Sequence, residues 1–246
     1  MPMIGLGTWQ ARGSEAYDAV LAALEIGYRQ VDTATMYGNE ADIGRAIREG
    51  GVPREDVFVT TKMPPDRAGG GEDDTLTRSL RLLGFDYVDL WLVHWPPGGR
   101  ARADTWERFL AARERGLTRA VGVSNYSLDQ IDELVSVTGE APAVNQIKWG
   151  PSLYDAGVLE AHRERGVAVE GYSPFRSAPT RSPVLSEVAD AHGVTPRQVV
   201  LRWHLEHDVV AIPKSARRER IAENFDIFGF ALTDEERSRI DALAGR

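Results

Sequence analysis

The chain has 246 residues, 42% of them hydrophobic and 27% charged, with 29 Lys+Arg against 37 Asp+Glu and a formal charge of −8. It has no cysteine, which excludes disulfides, zinc–thiolate sites and a cysteine nucleophile. The acidic balance argues against nucleic acid as a partner, and no apolar run approaches the ~18 residues of a membrane span.

The opening MPMIGLGTWQ lacks the charged and apolar regions of a secretory leader. The expectation is a cytoplasmic monomer that acts on a small molecule, with no membrane partner.

Eight short β-branched or apolar runs alternate along the chain with longer amphipathic ones, at 3–7, 29–33, 57–62, 88–94, 119–124, 143–147, 167–173 and 208–212. Between the first two runs, Tyr17, Val20, Leu21 and Leu24 share one helical face. Further on, Ser127 with Gln130 forms a capping box, and Thr195 precedes a proline at the first helical position. The last gap between strands is longer and holds two helical segments. Beyond it, Thr233 with Glu236 opens a final helix expected to run nearly to Arg246.

Strict alternation of strand and helix predicts a parallel sheet, and eight units predict closure into an α/β fold of the (β/α)8 TIM-barrel type. Such barrels reach ~250 residues as one unit, so residues 1–246 are expected to form a single domain. The open doubly wound sheet is the rival. It usually carries G-x-G-x-x-G after its first strand, whereas Gly5-Leu6-Gly7-Thr8-Trp9-Gln10 lacks the third glycine.

Barrels place their chemistry at the carboxyl ends of the strands. There the chain carries Asp32, Lys62, His94, Ser124, Asn125, Gln146, Tyr172, Ser173, Lys214 and Ser215 in succession. Singly, each could cap a turn or face solvent. Jointly they have no reason to gather at one end of consecutive strands unless a pocket opens there.

The segments 32–40 (DTATMYGNE), Thr61-Lys62, 87–96 (YVDLWLVHWP), 122–126 (GVSNY), Asn145-Gln146, Tyr172-Ser173-Pro174 and Ile212-Pro213-Lys214-Ser215 carry a resemblance. In this order, and with Arg220, Glu223 and Asn224 after them, they are similar to the aldo-keto reductases, above all to the bacterial branch of 2,5-diketo-gluconate reductases.

That resemblance implies NADPH-dependent reduction of aldehydes, ketones or dicarbonyls by a tetrad of Asp32, Tyr37, Lys62 and His94. Hydride delivery builds negative charge on the carbonyl oxygen, so an acid must protonate it. Tyr37 is that acid. A phenol ordinarily titrates near ~10, and the Lys62 ammonium is expected to lower it. Asp32 keeps the lysine charged, and a neutral His94 orients the carbonyl.

The implied cofactor set begins with Gly7, Thr8 and Asp32. Ser124, Asn125 and Gln146 are expected to meet the nicotinamide carboxamide, with Tyr172 stacked on the ring. Ser173, Phe175 and Ser177 meet the pyrophosphate. Lys214, Ser215, Arg220, Glu223 and Asn224 meet the adenine end.

A separate argument supports phosphate there. Lys214 and Ser215 precede a helix amino terminus, and Arg217, Arg220 and Asn224 follow at spacings that share one face. This favours NADPH/NADP+ over NADH.

Trp9, Tyr37, His94 and Trp95 are the expected substrate contacts, with Tyr126 and the loop 97–103 as further walls of an open pocket. Two departures bear on that pocket. Lys148-Trp149-Gly150-Pro151 stands where the family usually has an acid, an aromatic, His and Pro, and Pro64 stands where it often has Trp.

Three alternatives compete. A two-carboxylate glycosidase needs a second acid at a strand end, and only Asp32 is well placed. A metal hydrolase lacks ligands, since His204 and His207 have no carboxylate partner motif and His162 and His192 read as helix-surface residues, so no metal is expected. The third is a non-catalytic nicotinamide-binding sensor of the same fold.

Overall fold

The computed structural model describes residues 1–179 and 181–245. Its sheet has eight strands in sequence order: β1 (Leu6–Gly7), β2 (Gln30–Asp32), β3 (Phe58–Met63), β4 (Val88–Val93), β5 (Thr118–Ser124), β6 (Val144–Lys148), β7 (Ala168–Tyr172) and β8 (Val210–Ile212). Every neighbouring pair is parallel.

Parallel bridges Ile4↔Ala211 and Gly7↔Lys214 join the first segment to the last and close the ring. At this seam Gly5 N–H donates to Ala211 O (2.9 Å) and Gly7 N–H to Pro213 O (3.1 Å). The close approach needs glycine: a Cβ on Gly7 would lie 2.8 Å from Ile212 O. The first strand is shorter than the predicted 3–7 because residues 3–5 bond across the seam to β8, while only Leu6–Gly7 pairs with β2.

Ten α-helices are found among the described residues: α1 (Ser14–Ile26), α2 (Glu40–Glu49), α3 (Glu72–Leu83), α4 (Ala103–Glu114), α5 (Leu128–Thr138), α6 (Ala156–Glu164), α7 (Pro183–His192), α8 (Pro196–Glu206), α9 (Arg218–Phe225) and α10 (Asp234–Asp241). The reciprocal side-chain and backbone bonds of a capping box open α5, α8 and α10, as the Ser/Thr-x-x-Gln/Glu patterns predict. The final helix stops at Asp241, short of the expected reach, and Arg246 lies outside the described residues.

Side-chain alternation divides each strand between two environments. Outward residues pack on helices, as where Trp91 of β4 stacks on Phe109 of α4 with ring centroids 3.6 Å apart. Inward residues fill the barrel. Leu90, Leu92 and Val144 form an apolar cluster with Phe58 and Ala120 packed against it, and a layer of Gln30, Asp32, Lys62, Gln146 and Glu170, all buried, lies toward the carboxyl ends.

Buried charges survive only when paired and hydrogen-bonded. This layer meets that condition through Lys62 on Asp32 and through the amides of Gln30 and Gln146 on Glu170. No helix among the described residues is long and apolar enough to cross a membrane.

Candidate active site

A cavity of about 480 Å³ opens at the carboxyl ends of the strands, within the range of small-molecule sites. Asp32, Tyr37 and His94 line it on one side, Ser124, Asn125, Gln146, Tyr172 and Ser173 on another, and Gly7, Trp9, Trp95 and Lys214 at the rim. Lys62 lies beneath it, fully buried.

β3 carries Lys62 inward beside β2, and its Nζ donates to Asp32 Oδ1 (2.6 Å) and Thr33 O (2.9 Å). Burial alone would lower the lysine, but Asp32, Tyr37 and Glu170 reverse this and hold it above its ordinary value, fully charged. Nζ also sits 5.1 Å from the centre of the Tyr37 ring. That ring meets His94 edge to face, with centroids 5.8 Å apart.

Burial raises the Tyr37 phenol, and Lys62 offsets this only in part. The direction expected from Lys62 alone is therefore reversed. Tyr37 is held as a neutral phenol next to a cation that favours the phenolate it would become on donating its proton.

His94 is pushed down to about 3 by burial and by the Lys62 charge, so its imidazole is neutral. Its Nδ1 is buried without a partner. A stranded lone pair is more easily tolerated than a stranded N–H, so the proton sits on Nε2 and makes that atom the donor.

A second network holds the opposite wall. Ser124 Oγ donates to Gln146 O (2.8 Å), Asn125 Nδ2 to Ser124 Oγ (3.0 Å), and Tyr172 Oη to Asn125 Oδ1 (2.9 Å), fixing the Tyr172 ring. Asn125 and Ser173 take left-handed backbone conformations (φ 63° and 54°). Strain of this kind costs on the order of 1–3 kcal/mol and gathers at functional sites.

Several predicted contacts lie away from the cavity. Thr8 is buried and its hydroxyl donates to Asp32 O (2.9 Å), tying β1 to β2. Phe175 is half-buried against the core, with the Arg197 guanidinium carbon 4.7 Å from the centre of its ring. Ser177 is buried with an unpartnered hydroxyl. Ser215 Oγ accepts from Arg217 N–H (3.3 Å), and α9 begins only at Arg218, so Arg217 caps that helix and does not join its face.

Arg220 is exposed on α9, Asn224 is buried, and Glu223 accepts from the Thr195 hydroxyl (2.7 Å). Tyr126 is no pocket wall, since its ring is buried and its hydroxyl donates to Ala101 O. His162 is likewise not a surface residue: it is buried between Asn145 and Val158 O.

Of the six tryptophans, Trp91, Trp106, Trp149 and Trp203 are core, whereas Trp9 and Trp95 are 43% and 48% exposed beside the cavity. Sequence reasoning passed over Arg176, whose guanidinium lies 5.3 Å from the centre of the Trp9 ring, and Met36, both lining the cavity. Lys148 lines it too, so the departure noted in sequence places a cation on the wall.

Glu170 was also missed. It is a second acid inside the barrel, but it lies buried beneath the cavity and shares Gln146 with Asp32, which does not make the open carboxylate pair of a glycosidase. The readable signal was its position two residues before Tyr172 on one strand. No group of three or more His, Asp or Glu among the described residues is placed to hold a metal ion.

Residues 3–244 match the model of the Aldo/keto reductase family. The chain is 43% identical over 245 residues to 2,5-diketo-D-gluconic acid reductase B of Corynebacterium sp. (strain SHS752001), covering 98% of this chain and 87% of that protein. Among solved structures, an aldo/keto reductase from Brucella melitensis superposes with a TM-score of 0.95 at 38% identity, covering 99% of this chain and 95% of that one. A Bombyx mori aldo-keto reductase in complex with NADP gives a TM-score of 0.91 at 34% identity, covering 100% and 90%.

Proposed function

The chain belongs to the aldo/keto reductase family, and from that premise we propose that it reduces small aldehydes, ketones and dicarbonyls to alcohols with NADPH. The observation that carries this reading is the buried Lys62–Asp32 pair under a protonated Tyr37 and beside a neutral His94, at the floor of an open cavity. The same assembly argues against a non-catalytic sensor, which has no use for it. The reading takes residues 1–246 as one domain, because strands from both ends of the chain supply the cavity, and the enzyme as a cytoplasmic monomer.

The residues suit a nicotinamide dinucleotide. Tyr172 offers a fixed aromatic face, and Lys148, Arg176 and Lys214 around the cavity make no ion pair among the described residues, leaving cations for phosphate groups. The Bombyx mori relative is described with NADP bound. Exposed Arg220 on α9 and Lys214 at the rim are the candidates for the 2′-phosphate.

Bound NADPH supplies the hydride. His94 Nε2–H donates to the substrate oxygen and aims the carbonyl carbon. Tyr37 then donates its proton to that oxygen as charge develops, and Lys62, held by Asp32, stabilises the phenolate that remains. Trp9, Trp95 and Met36 form an apolar, exposed rim that suits small substrates.

NADPH consumption with methylglyoxal, phenylglyoxal and diketo acids tests the reaction. Tyr37→Phe should lower kcat by about 10²–10⁴ while the NADPH Kd holds. Full turnover in that variant would refute the assignment.

A further inference from the structure

Glu170 of β7 precedes Tyr172 by two residues, so both side chains face the barrel interior. It is completely buried. One carboxylate oxygen accepts from Gln30 Nε2 (2.5 Å) and the other from Gln146 Nε2 (2.6 Å). The same Gln146 nitrogen donates its other hydrogen to Asp32 Oδ2 (2.8 Å).

A primary amide has two N–H hydrogens, and here carboxylates take both. Turning the Gln146 amide over would lose two charge-assisted bonds and set its oxygen against two anions. The amide therefore has one orientation, with Oε1 left for the cavity, where it accepts no hydrogen bond among the described residues. Glu170 is itself held from behind: Gln30 packs so tightly on the seam that a Cβ on Gly5 would lie 2.8 Å from its Cγ.

We propose that Glu170 is a positioning residue for the cofactor, fixing the Gln146 amide so that its oxygen accepts the N–H of a carboxamide on the pyridine ring stacked at Tyr172. This rests on the NADPH reading above.

The charged groups facing Glu170 are Asp32 from β2 and Lys62 from β3, with the Tyr37 phenol beyond them; Gln30 and Gln146 are neutral. Burial, followed by the Asp32 charge, pushes the carboxyl up to about 7 against the pull of Gln146 and Lys62. Protonation weakens the clamp, so orientation is firmest above neutrality.

The test compares Kd for NADP+ with Kd for its acetylpyridine analogue, whose methyl ketone lacks the amide N–H. The wild type should prefer NADP+. Glu170→Gln, which keeps shape but offers either an oxygen or an N–H to Gln146, should cut that preference by about tenfold by weakening NADP+ alone. Glu170→Met should do the same.

Equal weakening of both dinucleotides would mark a merely structural role and overturn the proposal. An unchanged preference in both variants overturns the proposal while leaving the reductase reading intact, and a wild type that binds neither dinucleotide overturns both.

Discussion

Replacing Lys62 by Met removes the cation that faces Asp32 and Glu170 while nearly keeping the side chain's length. In the wild type Nζ is fully buried and makes two bonds, at 2.6 and 2.9 Å. The variant leaves Asp32 buried with Gln146 as its remaining side-chain donor and a second carboxyl sharing that donor. Breaking a buried pair from one side costs about 3–5 kcal/mol. For a chain of this size each kcal/mol moves Tm by about 2–4 °C, so the melting point should fall by roughly 6–20 °C.

Calorimetry reads that shift, and the double variant Asp32→Asn/Lys62→Met supplies the comparison. With charge removed at both ends, it should recover about 2–3 kcal/mol of the loss. Turnover should stay low in both, because no cation remains to favour the Tyr37 phenolate. A single variant within about 1 kcal/mol of wild type, or a double variant no more stable than the single, would refute the picture of a buried, mutually dependent pair.

Arg220→Ala should weaken NADPH selectively over NADH in paired titrations, and equal effects on the two would remove Arg220 from the 2′-phosphate. Gly7→Ala forces a Cβ to 2.8 Å from Ile212 O and should cost on the order of 2 kcal/mol, read from the urea midpoint; an unchanged midpoint would show that the seam can relax. His94, pushed down to about 3, refuses a proton that the unfolded chain accepts below about 6.5. Its contribution to stability is thus present above ~6.5 and lost as pH falls toward ~3. The stability difference between wild type and His94→Gln should shrink over that interval, and a constant difference would contradict a buried neutral imidazole.

The strands and the cluster of Asp32, Tyr37, His94, Ser124, Asn125, Gln146 and Tyr172 were legible because alternation and strand-end position are local properties of the sequence. What stayed hidden depended on packing between distant segments. Lys62 is visible beside Tyr37 in any listing of motifs, but the burial that outweighs it on the phenol arises only when the barrel closes. The Thr8 hydroxyl turns to Asp32 O and the Ser177 hydroxyl is buried, rotations that no spacing rule encodes. In the sequence Glu170 is a lone acid within the run VAVEGY at 167–172. Its meaning came from Gln30 and Gln146 on two other strands.

The seam where Ile4 meets Ala211 and Gly7 meets Lys214 also bears on the order of folding. Every other strand pairs with a neighbour one repeat away, whereas this contact joins segments about two hundred positions apart. Its loop-closure entropy is the largest in the ring. Closure is therefore expected to come late in assembly and to open early. Gly7 and Lys214 line the cavity from opposite sides of that seam, so a dinucleotide lying across them would act as a clasp, slowing unfolding of the loaded enzyme.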